Sequence, residues 1–220
     1  MTKNTIRSLF LVFSIFSCSL VMAEVEDIES IESNSHFYIG VTLGKASSEE
    51  TFHNVFTLMG NEYSKKDDNT ALGLYAGYNF ADKWSLEGGV IFVSHLNKRP
   101  SPQPIEEVYL TVFTFTPIIY IDLNDDLSLF VKAGLGVLIY SEDYHKHNDI
   151  FSLGSGDSWA GGGLALGAGI EMSVSSDIEF RFGYDYIKAE LEADEENHLQ
   201  NLTTIDEEFS LISLSFHYKF

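Results

Sequence analysis

Large apolar residues alternate with small or polar ones at a period of two along much of this chain. In Phe37-Tyr38-Ile39-Gly40-Val41-Thr42-Leu43-Gly44 the odd positions are apolar, and the even ones carry Tyr, Gly and Thr. That period puts one set on each face of a β-strand. The pattern returns over 72–80 and, past the tight turn Ala81-Asp82-Lys83, over 84–92. It predicts further strands over 109–122, 127–140, 159–174, 178–187 and 209–220. Both faces of 109–122 are apolar, so the pattern leaves its register open. Pro117 has no N–H to donate to a ladder and suggests a bulge there.

The connections fall into two kinds. Those near 81–83, 123–126 and 175–177 are tight turns, whereas those near 45–69, 94–107, 141–158 and 188–208 are long, polar and mostly acidic. Long and short alternate strictly. A membrane barrel with short periplasmic turns and long external loops has this alternation and an even strand count. A soluble sandwich has no reason to segregate its loops so regularly. The expected fold is therefore all-β, an eight-stranded antiparallel up-and-down transmembrane β-barrel over residues 36–220.

Extending the alternation assigns the faces. Leu129, Val131, Ala133, Leu135 and Val137 point one way; Phe130, Lys132, Gly134 and Gly136 point the other. Ile178, Phe180, Phe182, Tyr184 and Tyr186 likewise oppose Glu179, Arg181, Gly183 and Asp185. Glu87, Lys132, Glu171, Glu179, Arg181 and Asp185 thus form an expected polar network in the lumen. Such charges must be paired, because desolvating an unpaired one costs several kcal/mol. The network reads either as ordinary polar filling or as an ion gate or proton path. Eight strands leave no wide aqueous channel, which excludes an open porin. Phe37, Tyr78, Phe80, Trp84, Tyr184, Tyr186, Tyr218 and Phe220 lie near strand ends, where amphipathic rings favour the headgroup level.

The N-terminus adds a compartment. Lys3 and Arg7 precede an apolar run from Leu9 to Leu20, and Val21 and Ala23 offer small side chains for cleavage. This reads as a signal peptide over 1–23, since a run of about a dozen residues is too short to span a bilayer. Phe16 stands where a lipoprotein signal ending at Cys18 would want a small residue. Cleavage after Ala23 would remove that cysteine, the only one, and with it disulfide and thiol chemistry. Residues 24–35 read as a short acidic periplasmic leader. The formal net charge of −20 would become −22 once Lys3 and Arg7 are gone. That balance argues against nucleic-acid binding, which needs basic surface to replace phosphate counterions. It does not imply disorder, because 45% of residues are hydrophobic and 14% aromatic.

These segments resemble the OmpA-like small outer-membrane β-barrels, including their OmpX-type and Ail-type members. The resemblance spans about Phe37 to Phe220 and is carried by Phe37-Tyr38-Ile39-Gly40, Gly77-Tyr78-Asn79-Phe80 with Ser85-Leu86-Glu87, Ala133-Gly134-Leu135-Gly136, and the last strand. It implies a place in the cell outer membrane, with outer-membrane lipid and lipopolysaccharide as partners. It also implies that Ile212, Leu214, Phe216, Tyr218 and Phe220 are the signal read by the barrel-assembly machinery. Nothing follows Phe220 in this sequence, so the peptidoglycan-binding domain of larger OmpA proteins is not expected. Members include structural barrels, adhesins and serum-resistance proteins. The implied role is non-enzymatic: envelope structure, or contact with an extracellular partner through long acidic loops.

Candidate chemistry is sparse. His145 and His147 beside Glu142 and Asp143 lack a defined set of further metal ligands. Glu190, Glu192, Asp194, Glu195 and Glu196 invite weak cation binding, but their spacing is not that of an EF-hand. Ser94-His95 suggests comparison with barrel lipases, yet adjacency in sequence is not a catalytic pair without a third, orienting group. The glycines at 161–163 sit in a strand, so they form no phosphate loop. No catalytic residue, metal ligand or cofactor is therefore assigned. A lipid-modifying enzyme and a narrow ion-conducting barrel remain as alternatives. Deleting Phe220 is expected to lower the outer-membrane yield of the protein sharply, as measured by fractionation; normal yield would remove the terminal strand from assembly.

Overall fold

A computed structural model of the protein describes residues 35–54, 63–94, 107–143, 158–193 and 202–220. They form eight strands: β1 (His36–Asn54), β2 (Tyr63–Ala81), β3 (Trp84–Ser94), β4 (Glu107–Asn124), β5 (Leu127–Asp143), β6 (Ser158–Ser173), β7 (Ile178–Ala193) and β8 (Leu202–Lys219). Each pairs antiparallel with its sequence neighbour, and β8 returns to β1, so the sheet is a closed barrel. Closure runs from Tyr38–Lys219 upward, and the Phe220 N–H donates to the Phe37 carbonyl at 2.9 Å. Among the described residues no helix is long and apolar enough to cross a membrane. The expected signal peptide and acidic leader lie outside the described residues, save for Ser35.

The outward stripe of β1, β2, β7 and β8 turns from apolar to polar partway along, and on β7 the alternation reverses sense. Near the tight turns, apolar side chains face out and polar ones face in. On β7, Phe182 and Tyr184 face out while Arg181, Gly183 and Asp185 face in. Two residues beyond Tyr186 the outward positions become Lys188, Glu190 and Glu192, and the inward ones Ile187, Ala189 and Leu191. On β8 the outward stripe Phe216, Leu214, Ile212 gives way to Ser210, Glu208 and Asp206, while Leu211 and Phe209 turn inward. On β1, Leu43 gives way to exposed Lys45 and Glu49. The barrel thus has two zones. Its lower zone suits lipid outside and polar filling inside; its upper zone suits water outside and holds a largely apolar core, with Ser48, Asp67 and Glu207 also buried there and Ser48 donating to Glu207. That core gathers Leu110, Val112, Leu138, Tyr140, Trp159 and Phe209, all at most 1% exposed, with smaller neighbours.

The change of sense explains where the strands differ from expectation. Residues 45–54, 63–69, 141–143, 188–193 and 202–208 belong to strands, not to loops. On β7 the dyad persists over 187–192 with its phase reversed, and on β1, β2 and β8 the outward positions turn polar, so a search for an outward apolar stripe ends there. The two apolar faces of β4 arise because Leu110 and Val112 serve the upper core and Ile118 packs in the lower lumen with Tyr120 and Phe130, whereas Phe113, Phe115, Ile119 and Ile121 face out. Pro117 makes no bulge. Its pairing with Leu86 lies in an unbroken β3–β4 register, and β4–β5 passes from Phe115–Leu135 to Ile118–Lys132 without a shift.

Interior space is shared between rings and glycines. Tyr38 lies opposite Gly77, Tyr75 opposite Gly40, and Phe130 opposite Gly169. A Cβ on Gly77 or Gly40 would sit inside the Tyr38 or Tyr75 ring, so each missing side chain is the space its partner fills. Gly77→Val is expected to cost about 1–3 kcal/mol through overpacking. Gly88→Ala, whose added carbon meets nothing nearer than 3.9 Å, should be close to neutral. Urea unfolding of the two variants in lipid vesicles compares them; equal stability would mean the lumen yields to the extra atoms.

Candidate functional site

The lower lumen is organised around Arg181, on β7. Strand periodicity turns it inward between Phe180 and Phe182, and the guanidinium is 4% exposed. Its Nη1 donates to Glu87 Oε2 at 2.6 Å. Its Nη2 and Nε donate to Glu171 Oε2 at 2.7 and 2.9 Å, and Nη2 also reaches the Tyr120 hydroxyl at 3.0 Å. Rings surround the rest of the cation: the Phe130 centroid lies 4.9 Å from Cζ, Tyr75 5.5 Å and Tyr38 5.9 Å. Planarity and five donors let one guanidinium tie carboxylates on β3 and β6 together.

Two arms extend from this centre. Lys132, on β5, lies 2.9 Å from Asp185 and 3.6 Å from Glu87. Toward the tight-turn end, His217 Nε2 is 2.7 Å from Glu179 Oε2, and His217 Nδ1 is 3.0 Å from the Tyr75 hydroxyl. Glu179 Oε1 accepts from Lys219 and Ser173, each at 2.8 Å. The Tyr38 hydroxyl donates to Glu87 at 3.1 Å and lies 3.4 Å from Ser85. All six ionisable residues named from the sequence therefore stand in one connected lumen cluster. Tyr38, Tyr75, Tyr120, His217 and Lys219 were not among them. Their inward parity on β1, β2, β4 and β8 was the available signal.

The arrangement stores charge rather than offering it. Glu171, Glu179 and His217 place one ligand atom each within 4.8 Å of one another, which is the spacing of a metal centre. Both carboxylates are nevertheless engaged by Arg181 or Lys219, so an ion would have to displace a buried partner. Tyr75, His217 and Glu179 line up as a hydroxyl, an imidazole and an orienting carboxylate. The cavity beside them holds about 30 Å³, room for a water or two and not for a substrate. Thr42, Glu87, Thr114, Lys132, Asp185 and Ser213 help to line it, and the upper core begins directly above with Ile91 and Leu211.

The remaining candidates sit elsewhere. Glu190 and Glu192 project outward from β7, whereas Asp194, Glu195 and Glu196 lie outside the described residues. Ser94 ends β3, and His95, His145 and His147 are likewise outside them. Ile212, Leu214, Phe216, Tyr218 and Phe220 form an exposed outer stripe on and just beyond β8.

A model of the outer membrane protein beta-barrel domain matches residues 8–220. Among solved structures, the Neisserial surface protein A is similar with a TM-score of 0.57 at 15% identity, covering 84% of this chain and 97% of that one. OprG from Pseudomonas aeruginosa gives 0.54 at 19%, covering 87% and 99%. The outer membrane protein AlkL, solved in lipid bilayers, gives 0.56 at 13%, covering 90% and 97%. At such identities the likeness is one of fold. No curated protein matches the chain.

Arg181→Leu leaves Glu87 and Glu171 without their shared cation, and is expected to cost about 3–5 kcal/mol. Adding Glu87→Gln should recover part of that loss by removing one stranded charge. Unfolding of the single and double variants in vesicles measures the coupling; strictly additive losses would show that the two groups do not act as a pair.

Proposed function

The chain belongs to the outer membrane protein beta-barrel domain family, and from that membership we propose that it is a closed, non-enzymatic barrel acting through its extracellular face. In this reading it supports envelope structure or surface contact. Residues 1–23 direct export, and the β8 stripe through Phe220 guides assembly. The observation that carries the proposal is the upper zone, where strands continue past the apolar belt with acidic outer positions. Glu49, Asp68, Glu190, Glu192, Asp206 and Glu208 lie on its outer wall. Lys45 and Lys188 offset part of this charge by pairing with Asp68 at 3.3 Å and Glu208 at 2.8 Å. Anionic lipopolysaccharide beside such a wall needs intervening cations, and a cationic partner does not.

A polar lower lumen also motivates the ion-conducting alternative, which the apolar upper core opposes. The small interior cavity opposes lumenal catalysis in the same way. The purified barrel in planar bilayers is expected to show no conductance steps, and lipid A from cells with and without the protein should give identical mass spectra. Steady conductance, or a changed acyl pattern, would replace the proposal with the corresponding alternative. Replacing Glu190, Glu192, Asp206 and Glu208 by their amides should weaken salt-sensitive retention of expressing cells on a cationic surface without changing barrel yield. Unchanged retention across a salt series would mean that this wall does not act by charge.

A further inference from the structure

The turn from apolar to polar side chains on the outer wall is confined to one side of the barrel. On β1 the outward apolar stripe runs from Phe37 to Leu43 and meets Lys45; on β2 it runs from Phe80 to Leu72 and meets Thr70 and Asp68. On β8 it runs from Phe220 to Ile212 before Ser210 and Glu208, and on β7 from Ile178 to Tyr186 before Lys188. The opposite side differs. On β4 the outward positions from Leu123 to Tyr109 include no charge, and neither do those from Leu129 to Ile139 on β5 or from Met172 to Ala160 on β6. At a rise of about 3.3 Å per residue and a tilt of about 40°, each residue gains about 2.5 Å along the barrel axis. The apolar stripe is then about 15–20 Å tall on β7, β8, β1 and β2 and about 25–35 Å tall on β4, β5 and β6, against a usual band of about 25 Å.

The register places most of this difference at the upper edge. A row of paired residues that leaves β8 at Tyr218 passes through Gly88 and Leu135 and re-enters β8 at Glu208. It winds up the wall, climbing about 3 Å at each strand. The row through Thr111 on β4 descends by way of Phe92 to Leu72 on β2. Thr70 stands two residues up β2 from Leu72, so Thr70 and Thr111 share a level. Beside Thr70 lie its pairing partner Lys45 and Asp68, with their charges 3.3 Å apart. Beside Thr111 lie Phe92 and Ile139. One level of the wall is thus charged on one side and apolar on the other.

Charges need water and apolar side chains avoid it, so a bilayer surface settles at the boundary between them. Tilting the barrel cannot satisfy both sides, because the stripes differ in length and not only in level. A bilayer answers such mismatch by thinning or thickening locally, at modest cost. We propose that this barrel shapes the membrane around it, thinning the bilayer against β7, β8, β1 and β2 and leaving it at full height against β4, β5 and β6. The upper leaflet dips to the level of Lys45 on the first side and reaches Ile139 on the second. The dip keeps the acidic outer positions of β1, β2, β7 and β8 in water. The inference rests on insertion of the barrel in a membrane, and depends on the orientation proposed above only for which leaflet dips.

The test uses the full chain with Cys18→Ser, so that no other thiol remains, in vesicles of phosphatidylethanolamine and phosphatidylglycerol. A single nitroxide is attached at Thr70→Cys or at Thr111→Cys, and its collisions with oxygen and with a water-soluble nickel chelate are measured by electron paramagnetic resonance. The oxygen-to-nickel ratio is expected to be several-fold higher at Thr111 than at Thr70, although the two share a level. Lys45→Leu with Asp68→Leu removes the charges that hold water there and should raise the Thr70 ratio toward that of Thr111. All these positions face outward, and heat-modifiable migration on gels verifies that the variants fold. Equal ratios at the two positions would overturn the proposal, as would a Thr70 ratio that ignores the paired leucines. A Thr111 label that neither reagent reaches would also overturn it, placing that part of β4 under protein instead of lipid.

Discussion

A hydrocarbon layer offers no partner to an unpaired backbone N–H or C=O, and each one left open there costs several kcal/mol. The rest of this structure follows from that constraint. The sheet must close, so β8 must find β1, and the last residue ties its own N–H to Phe37. Eight strands closed on themselves fix an interior too narrow for a water column. Side chains must fill it, and they must fit one another. Hence rings lie against glycines on adjacent strands, and every charge admitted to the lower lumen has an opposite charge or a hydroxyl against it.

Arg181 solves the hardest part of that packing. One planar cation on β7 reaches a carboxylate on its neighbour β6 and, across the lumen, a carboxylate on β3 and the Tyr120 hydroxyl on β4, so it couples β7 to two strands with which it shares no backbone pairing. Desolvation offsets much of the Coulombic gain of such a network, so its intact form contributes little net stability while removal of one partner costs several kcal/mol. The upper core works the other way. It is built from non-directional apolar contacts among Leu110, Leu138, Trp159, Ile187 and Phe209. The molecule therefore holds a membrane protein's interior at one end and a soluble protein's interior at the other.

Much of this architecture was legible before the structure. Period-two patterning identified all eight strands, because the lipid-facing stripes are long and unambiguous on β1, β7 and β8. The alternation of turn and loop lengths supplied the topology. The upper extensions were not legible as strands, since Lys188, Glu190 and Glu192 read as a solvated loop until Ile187, Ala189 and Leu191 are seen facing inward. Lumen charges in strand interiors declare themselves by parity. Tyr75 and His217 share that inward parity, but an aromatic ring is as common on an outer wall as in a lumen, and the contacts of Tyr75 with His217 and of His217 with Glu179 place them in the network.

The stacking of a largely apolar core above an ionic lower lumen has an electrical consequence. Mobile salt weakens interactions between charges only where ions can approach to within a screening length, about 8 Å at physiological strength. Leu211, Ile91 and the apolar side chains above them stand between the ion pairs and the upper mouth of the barrel, with Asp67 and Glu207 buried higher up. The opposite end is more open, with Lys219 partly exposed beside Glu179. In the orientation proposed above, the lumen charges are thus referenced to the periplasm, while the acidic outer wall is referenced to the surroundings. Brine, fresh water or a cationic surface outside can alter what the stalk attracts and leave the ion pairs beneath it as they were.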